Sequence, residues 1–178
     1  MASFRSSDDF DRLDWEILRN GPAYLYFSRE VLADDVAWFE QHEYRVHVFD
    51  CSTWTSEAVF HEQMNQAFRF PDYYGRNLIA FEECFHGIDV PDDGGVALVL
   101  TSFDAFAKRF PDEAWDVLHV IALTSRYVLL MGKRLVALIQ SDDEEMPFKE
   151  IGGRSPTTNL KEAGMKLRES ISENDPPV

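Results

Sequence analysis

The chain has 178 residues, 45% of them hydrophobic and 13% aromatic. That is the size of one domain, long enough to bury a core without disulfides or metals, so a single domain over 1–178 is expected. With 32 acids against 17 Lys and Arg the formal charge is −15, which excludes nucleic acid and anionic membranes as natural partners and favours a basic protein.

Asp8–Arg19 carries Phe10, Leu13, Trp15, Ile17 and Leu18 as a short amphipathic helix, ended by Asn20-Gly21-Pro22. Ala23–Phe27 reads as a buried strand, Ser28 as an N-cap, and Glu30–His42 as a helix. Tyr44–Phe49 returns as a strand, completing a βαβ element for which parallel pairing is expected. Ser56–Phe68 has a helical stripe of Val59, Phe60, Met64, Ala67 and Phe68; Phe70–Gly75 breaks it, and Arg76–Phe85 resumes as a helix. Gly87–Gly95 is a loop, and the continuous apolar run Val96–Leu100 fits a strand covered on both faces. Ser102–Phe110 and Pro111–Met131 are helices, with Pro111 at the first helical position and Asp112 and Glu113 against the dipole. Leu135–Ile139 is the last clear strand. Beyond it come the acidic loop Ser141–Glu145, a turn at Gly152-Gly153-Arg154, a helix over Leu160–Arg168 and a fraying end at Asn174–Val178. Strands alternating with helices specify an α/β fold built on a small parallel sheet.

Several chemistries are excluded. Cys51 and Cys84 stand far apart and form neither a disulfide framework nor a zinc pattern. The N-terminal stretch MASFRSSDDFDRLDW is polar and acidic, unlike a signal peptide. Val117–Met131 is interrupted by His119 and Arg126 and is too short to span a bilayer. A cytoplasmic location is expected. There is no GxSxG elbow, no phosphate-binding GxxxxGK[ST] loop and no second His four residues after His61 of His61-Glu62. Gly152-Gly153-Arg154-Ser155 lacks the strand-to-helix context of an anion cradle and reads as a turn. An enzyme is the weakest reading.

The segment Phe70–Cys84, FPDYYGRNLIAFEEC, is different. At about 100° per residue, Leu78, Phe81, Cys84 and Phe85 converge on a buried face, while Ile79, Glu83 and His86 lie opposite. Tyr73, Tyr74 and Asn77 beside them are residue types that carry binding energy. Between Asp72 and Asp104, seven acids stand against Arg76 alone. Such a surface imitates a polyanion and fits a basic cleft through charge-assisted bonds.

At these residues the sequence resembles the barstar family of ribonuclease inhibitors, whose motif runs apolar-Pro-x-Tyr-Tyr-Gly-x-Asn-Leu-Asp-Ala-Leu-x-Asp-Cys. The resemblance covers about 44–140, with 1–43 and 141–178 as extensions. It implies a small parallel sheet packed with helices, no cofactor, and occlusion of a basic ribonuclease toxin by the motif helix and its adjoining loop. By position, Tyr73 and Asn77 match contact residues, Glu83 the principal acid, and His86, Gly87 and Ile88 the following loop. Cys84 matches a family thiol that packs in the core. Ile79 replaces an Asp used in the cleft, Glu82 stands where the founding member has Trp, and Tyr127 occupies the position of a further acid. The candidate contacts are thus Tyr73, Tyr74, Asn77, Ile79, Glu82, Glu83, His86, Ile88 and Tyr127. The alternative is a binding module of the same fold for a toxin of another class or a regulatory protein.

Overall fold

In chain order the elements are α1 (Leu13–Asn20), β1 (Ala23–Tyr26), α2 (Arg29–Gln41), β2 (Tyr44–Asp50), α3 (Glu57–Phe68), α4 (Leu78–His86), β3 (Gly95–Thr101), α5 (Phe103–Arg109), α6 (Pro111–Leu130), β4 (Leu135–Gln140) and β5 (Thr157–Thr158). The five strands are parallel and form one sheet in the order β2-β3-β4-β1-β5. The structure is a computed structural model and describes residues 4, 7–146 and 148–165. The α/β class read from the sequence is therefore present.

The most apolar strands take the middle. Gly95–Thr101 and Leu135–Gln140 pair with each other from Val96↔Leu135 to Leu100↔Ile139, and β4 is buried throughout. β2 carries Arg45, His47 and Asp50 and takes an edge, where Arg45 and Asp50 are exposed and His47 is half-buried. Alternation along the strands divides the core into two. Val96, Leu98, Leu100, Leu135, Ala137 and Ile139 pack with Phe60 and Met64 of α3, Phe81 and Phe85 of α4, Phe106 of α5 and Val117 and Ile121 of α6. Ala97, Val99, Val136 and Leu138 face the other way, onto Ile17 of α1 and Val31, Leu32 and Phe39 of α2.

Direct pairing within the N-terminal βαβ element does not occur. β1 and β2 are parallel, but β1 pairs β4 from Ala23↔Ala137 to Tyr26↔Gln140, and two strands stand between it and β2. The N-terminal extension thus prolongs the sheet past β4 and covers its second face. The N-terminal helix is also interrupted: a 3-10 turn over Ser7–Asp11 gives way to extended backbone at Arg12 before α1 begins. Arg12 there forks onto Asp14, which is fully buried and also accepts from Tyr44 Oη at 2.6 Å. Burial alone pushes the Asp14 carboxyl up. Hydrogen bonds from Arg12 and Tyr44, with the charges of Arg12 and Arg134, more than offset this and hold it below the ordinary carboxylate range.

The C-terminal segment closes the far edge. Thr157–Thr158 pairs β1, and helical backbone follows over 160–165. The rest of the helix expected to Arg168, and the end at Asn174–Val178, lie outside the described residues. Buried Asp35 accepts from Tyr26 Oη at 3.0 Å and Asn159 Nδ2 at 2.7 Å, and pairs with Lys161. Glu162 accepts from the amides of Phe27 and Ser28, the entry to α2. Gly152 and Gly153 form the expected turn, closed by the Ile151 and Arg154 backbones. Among the described residues no helix is long and apolar enough to cross a membrane.

Candidate protein-binding site

Phe70 starts the site by packing inward against Tyr74, with ring centroids 4.7 Å apart, and against Phe81. Tyr74 N donates to Pro71 O at 2.9 Å, so the chain turns over Pro71-Asp72-Tyr73-Tyr74. The turn separates the two tyrosines. Tyr73 stands at its corner, 83% exposed, whereas Tyr74 points into the core and hydrogen-bonds His61 Nδ1. Tyr74 is therefore corrected from a contact residue to a core residue that fixes the turn from below. Burial raises its phenol well above the ordinary range, and burial followed by the nearby Arg76 charge lowers His61.

The helix begins two residues later than the spacing predicts. Arg76 adopts φ 50° and pairs with Glu62 at 2.9 Å. Asn77 is the N-cap: its Oδ1 accepts from Ala80 N at 2.9 Å, satisfying an amide that α4 itself cannot. Phe81 and Phe85 are fully buried and Leu78 and Cys84 partly so, as the periodicity requires. Burial, and secondarily Glu83, raises the Cys84 thiol. On the opposite face Ile79 is 72% exposed and Glu83 is exposed, whereas Glu82 and His86 are half-buried. His86 Nδ1 donates to Glu82 O at 2.7 Å, and its ring lies 6.0 Å from that of Tyr127. That contact with α6 explains why His86 is less open than a single-helix projection predicts.

Tyr73, Glu83, Cys84, Gly87 and Ile88 line a cleft of about 430 Å³ alongside α4. Ile88 packs partly against the core, and Asp89 beyond it pairs with Arg45 at 3.2 Å. Ion pairs thin the acidic stretch: Asp92 meets Lys133, and Asp104 is buried beside Lys108. Asp72, Glu82, Glu83 and Asp93 have no ion pair among the described residues, so the free charge concentrates on α4 and its two flanking loops. Sequence reasoning missed two neighbours of Tyr127. Leu130, 88% exposed, and Met131 follow it at helical spacing and continue an apolar strip along α6. Their spacing from Tyr127 was the available signal.

A family model described as Barstar (barnase inhibitor) matches residues 44–146. The chain belongs to the barstar family. A Bacillus subtilis (strain 168) protein described as "Putative ribonuclease inhibitor YrdF" is 36% identical over 75 residues, which is 42% of this chain and 78% of that protein. The barstar match contains β2, α3, α4, β3, α5, α6 and β4 and runs to 146 rather than the expected 140. Strands β1 and β5 and helices α1 and α2 lie outside it. The family region therefore supplies the central strands and one helical layer, and the flanking segments add the second layer and close an edge.

Proposed function

We propose that this barstar-family protein is an intracellular inhibitor that occludes the active site of a basic ribonuclease toxin, using the Pro71–Asn77 turn, the outer face of α4 and the Gly87–Asp89 loop. The observation that carries the reading is Glu83, exposed and without an ion pair among the described residues, on a capped helix beside Tyr73 and the cleft between them. A carboxylate entering a cationic cleft makes charge-assisted bonds, and a flanking aromatic excludes water from them. No chemistry on the substrate is required of the inhibitor. The −15 charge steers a basic partner inward, so association slows as salt rises while dissociation responds less.

A second reading rests on Ile79, Tyr127 and Leu130, apolar and exposed around the acids. A surface of that mixture also suits a toxin of another class or a regulatory protein. One experiment separates the two: capture from lysate of the source cells with wild type and Glu83→Ala, then assay the eluate for RNA cleavage before and after adding the inhibitor back. A basic nuclease stoichiometrically inhibited by wild type, and weakened by about 2 kcal/mol or more with Glu83→Ala, supports inhibition. A non-nuclease partner, or one indifferent to Glu83 and Tyr73, overturns it.

A further inference from the structure

Three arginines, Arg19, Arg126 and Arg154, come together where α1, α6 and the Gly152–Gly153 turn meet. They line a cleft of about 310 Å³: Arg19, Arg126 and Arg154 form its polar side, and Leu18, Pro22 and Leu129 its apolar wall. Among the described residues no carboxylate lines it. Of the other described arginines, all but Arg69 are spent within the fold. Arg12, Arg29, Arg45, Arg76 and Arg134 are ion-paired, and Arg109 donates to the carbonyls of Ser52 and Trp54.

Two of the three cleft arginines are held by backbone. Arg126 donates to Gly152 O, and Arg154 Nη1 donates to Arg19 O at 3.2 Å. A guanidinium has five N–H donors, so most remain for an incoming acceptor. Gly152 makes room for this: its φ is +59°, and a Cβ there would stand 3.0 Å from Ala122 Cβ and 3.5 Å from Arg126 Cζ. Any side chain at that position crowds the guanidinium as well as straining the turn. The glycine turn that looked like a plain connection thus shapes an electropositive recess in an acidic protein.

We propose that this cleft binds a phosphate monoester carried on a small apolar or aromatic body, such as a nucleoside monophosphate. The phosphate sits among the three guanidinium groups, whose planar forks match its oxygens, and the body lies against Leu18, Pro22 and Leu129. A long polyanion is excluded because the −15 surface repels it beyond the cleft. The assignment is independent of the inhibitor reading: α1 and the turn lie outside the 44–146 family region, and none of the α4 face lines the cleft.

The test is isothermal titration of the full chain at low ionic strength with adenosine monophosphate, inorganic phosphate and adenosine. The nucleotide is expected to bind at one site, phosphate several-fold more weakly, and adenosine not at all. Arg19→Gln removes a side chain with no hydrogen bond or ion pair among the described residues, so folding is kept and nucleotide affinity falls roughly five-fold. Arg126→Gln combined with Arg154→Gln abolishes binding. No nucleotide binding at millimolar concentration, or binding that Arg19→Gln and the double variant leave unchanged, overturns the site. Adenosine binding as well as its phosphate removes the guanidinium role, and phosphate binding as well as the nucleotide removes the apolar wall.

Discussion

Asn77 provides the sharpest test of how this fold presents its binding face. Its Oδ1 accepts from Ala80 N at 2.9 Å, and no acidic residue lies in the first turn of α4 to compensate if that bond is lost. Its Nδ2 makes only a long contact, 3.4 Å, to Gly75 O. Asn77→Ala therefore removes one cap bond and little else, a loss of about 1 kcal/mol. For a chain of this size that lowers Tm by about 2–4 °C. Asn77→Asp keeps the acceptor and adds a negative charge at the positive end of the helix, so stability stays within a few tenths of a kcal/mol of wild type. Urea unfolding of the three proteins measures the stability, and titration against the captured nuclease measures inhibition. Asn77→Asp is expected to unfold as wild type does and, because Asn77 also lies in the proposed contact turn, to inhibit less well. Unchanged stability in Asn77→Ala, or an Asp variant as unstable as the Ala variant, refutes the cap argument. Wild-type inhibition by Asn77→Asp takes Asn77 out of the contact surface and leaves it the cap alone.

Asp35→Ala leaves the Tyr26 hydroxyl and the Asn159 amide without their acceptor in the interior, and costs about 2–4 kcal/mol by urea unfolding; a loss under about 1 kcal/mol refutes the C-terminal clasp. His47 and His61 are held below the ordinary imidazole range, by burial first and then by Arg45 and Arg76 respectively. The unfolded chain thus binds their protons more readily, so their contribution is complete above about pH 6.5 and is lost as pH falls below it. His47→Gln, at a ring whose Nε2 is buried without a hydrogen-bond partner among the described residues, is expected to shrink the drop in urea midpoint between about pH 7.5 and pH 5.5; an equal drop refutes it. Ile79→Asp restores an acid on the exposed face and is expected to speed association with a basic ribonuclease at low salt, the gain vanishing at high salt in stopped-flow mixing. A salt-independent gain would take steering out of the explanation.

Within α4, the buried and exposed faces were legible because they follow from the helical period of one segment. Phe81 and Phe85 turn inward and Ile79 and Glu83 outward, as their spacing demands. The limits of that reasoning appear where a second element intervenes. His86 is half covered because Tyr127 of α6 meets it, and Tyr74 is buried because the Pro71 turn reverses the chain one residue after Tyr73. The acidic stretch looked continuous, yet Arg45, Lys108 and Lys133 from other elements neutralise part of it.

By itself the amino-acid sequence determined the succession of strands and helices from α1 to β4, the burial of Val96–Leu100 on both faces, and the motif that marks the barstar family. Each is written in local spacing or in a contiguous run of residues. Only the tertiary structure decided that β4 and β3 stand between β1 and β2, that the C-terminal segment closes the β1 edge, and that Arg19, Arg126 and Arg154 share a cleft. Those arrangements join residues more than 100 positions apart. They are selected by which packing buries both faces of the sheet and pairs its buried carboxylates at once, a condition that no single stretch of chain contains.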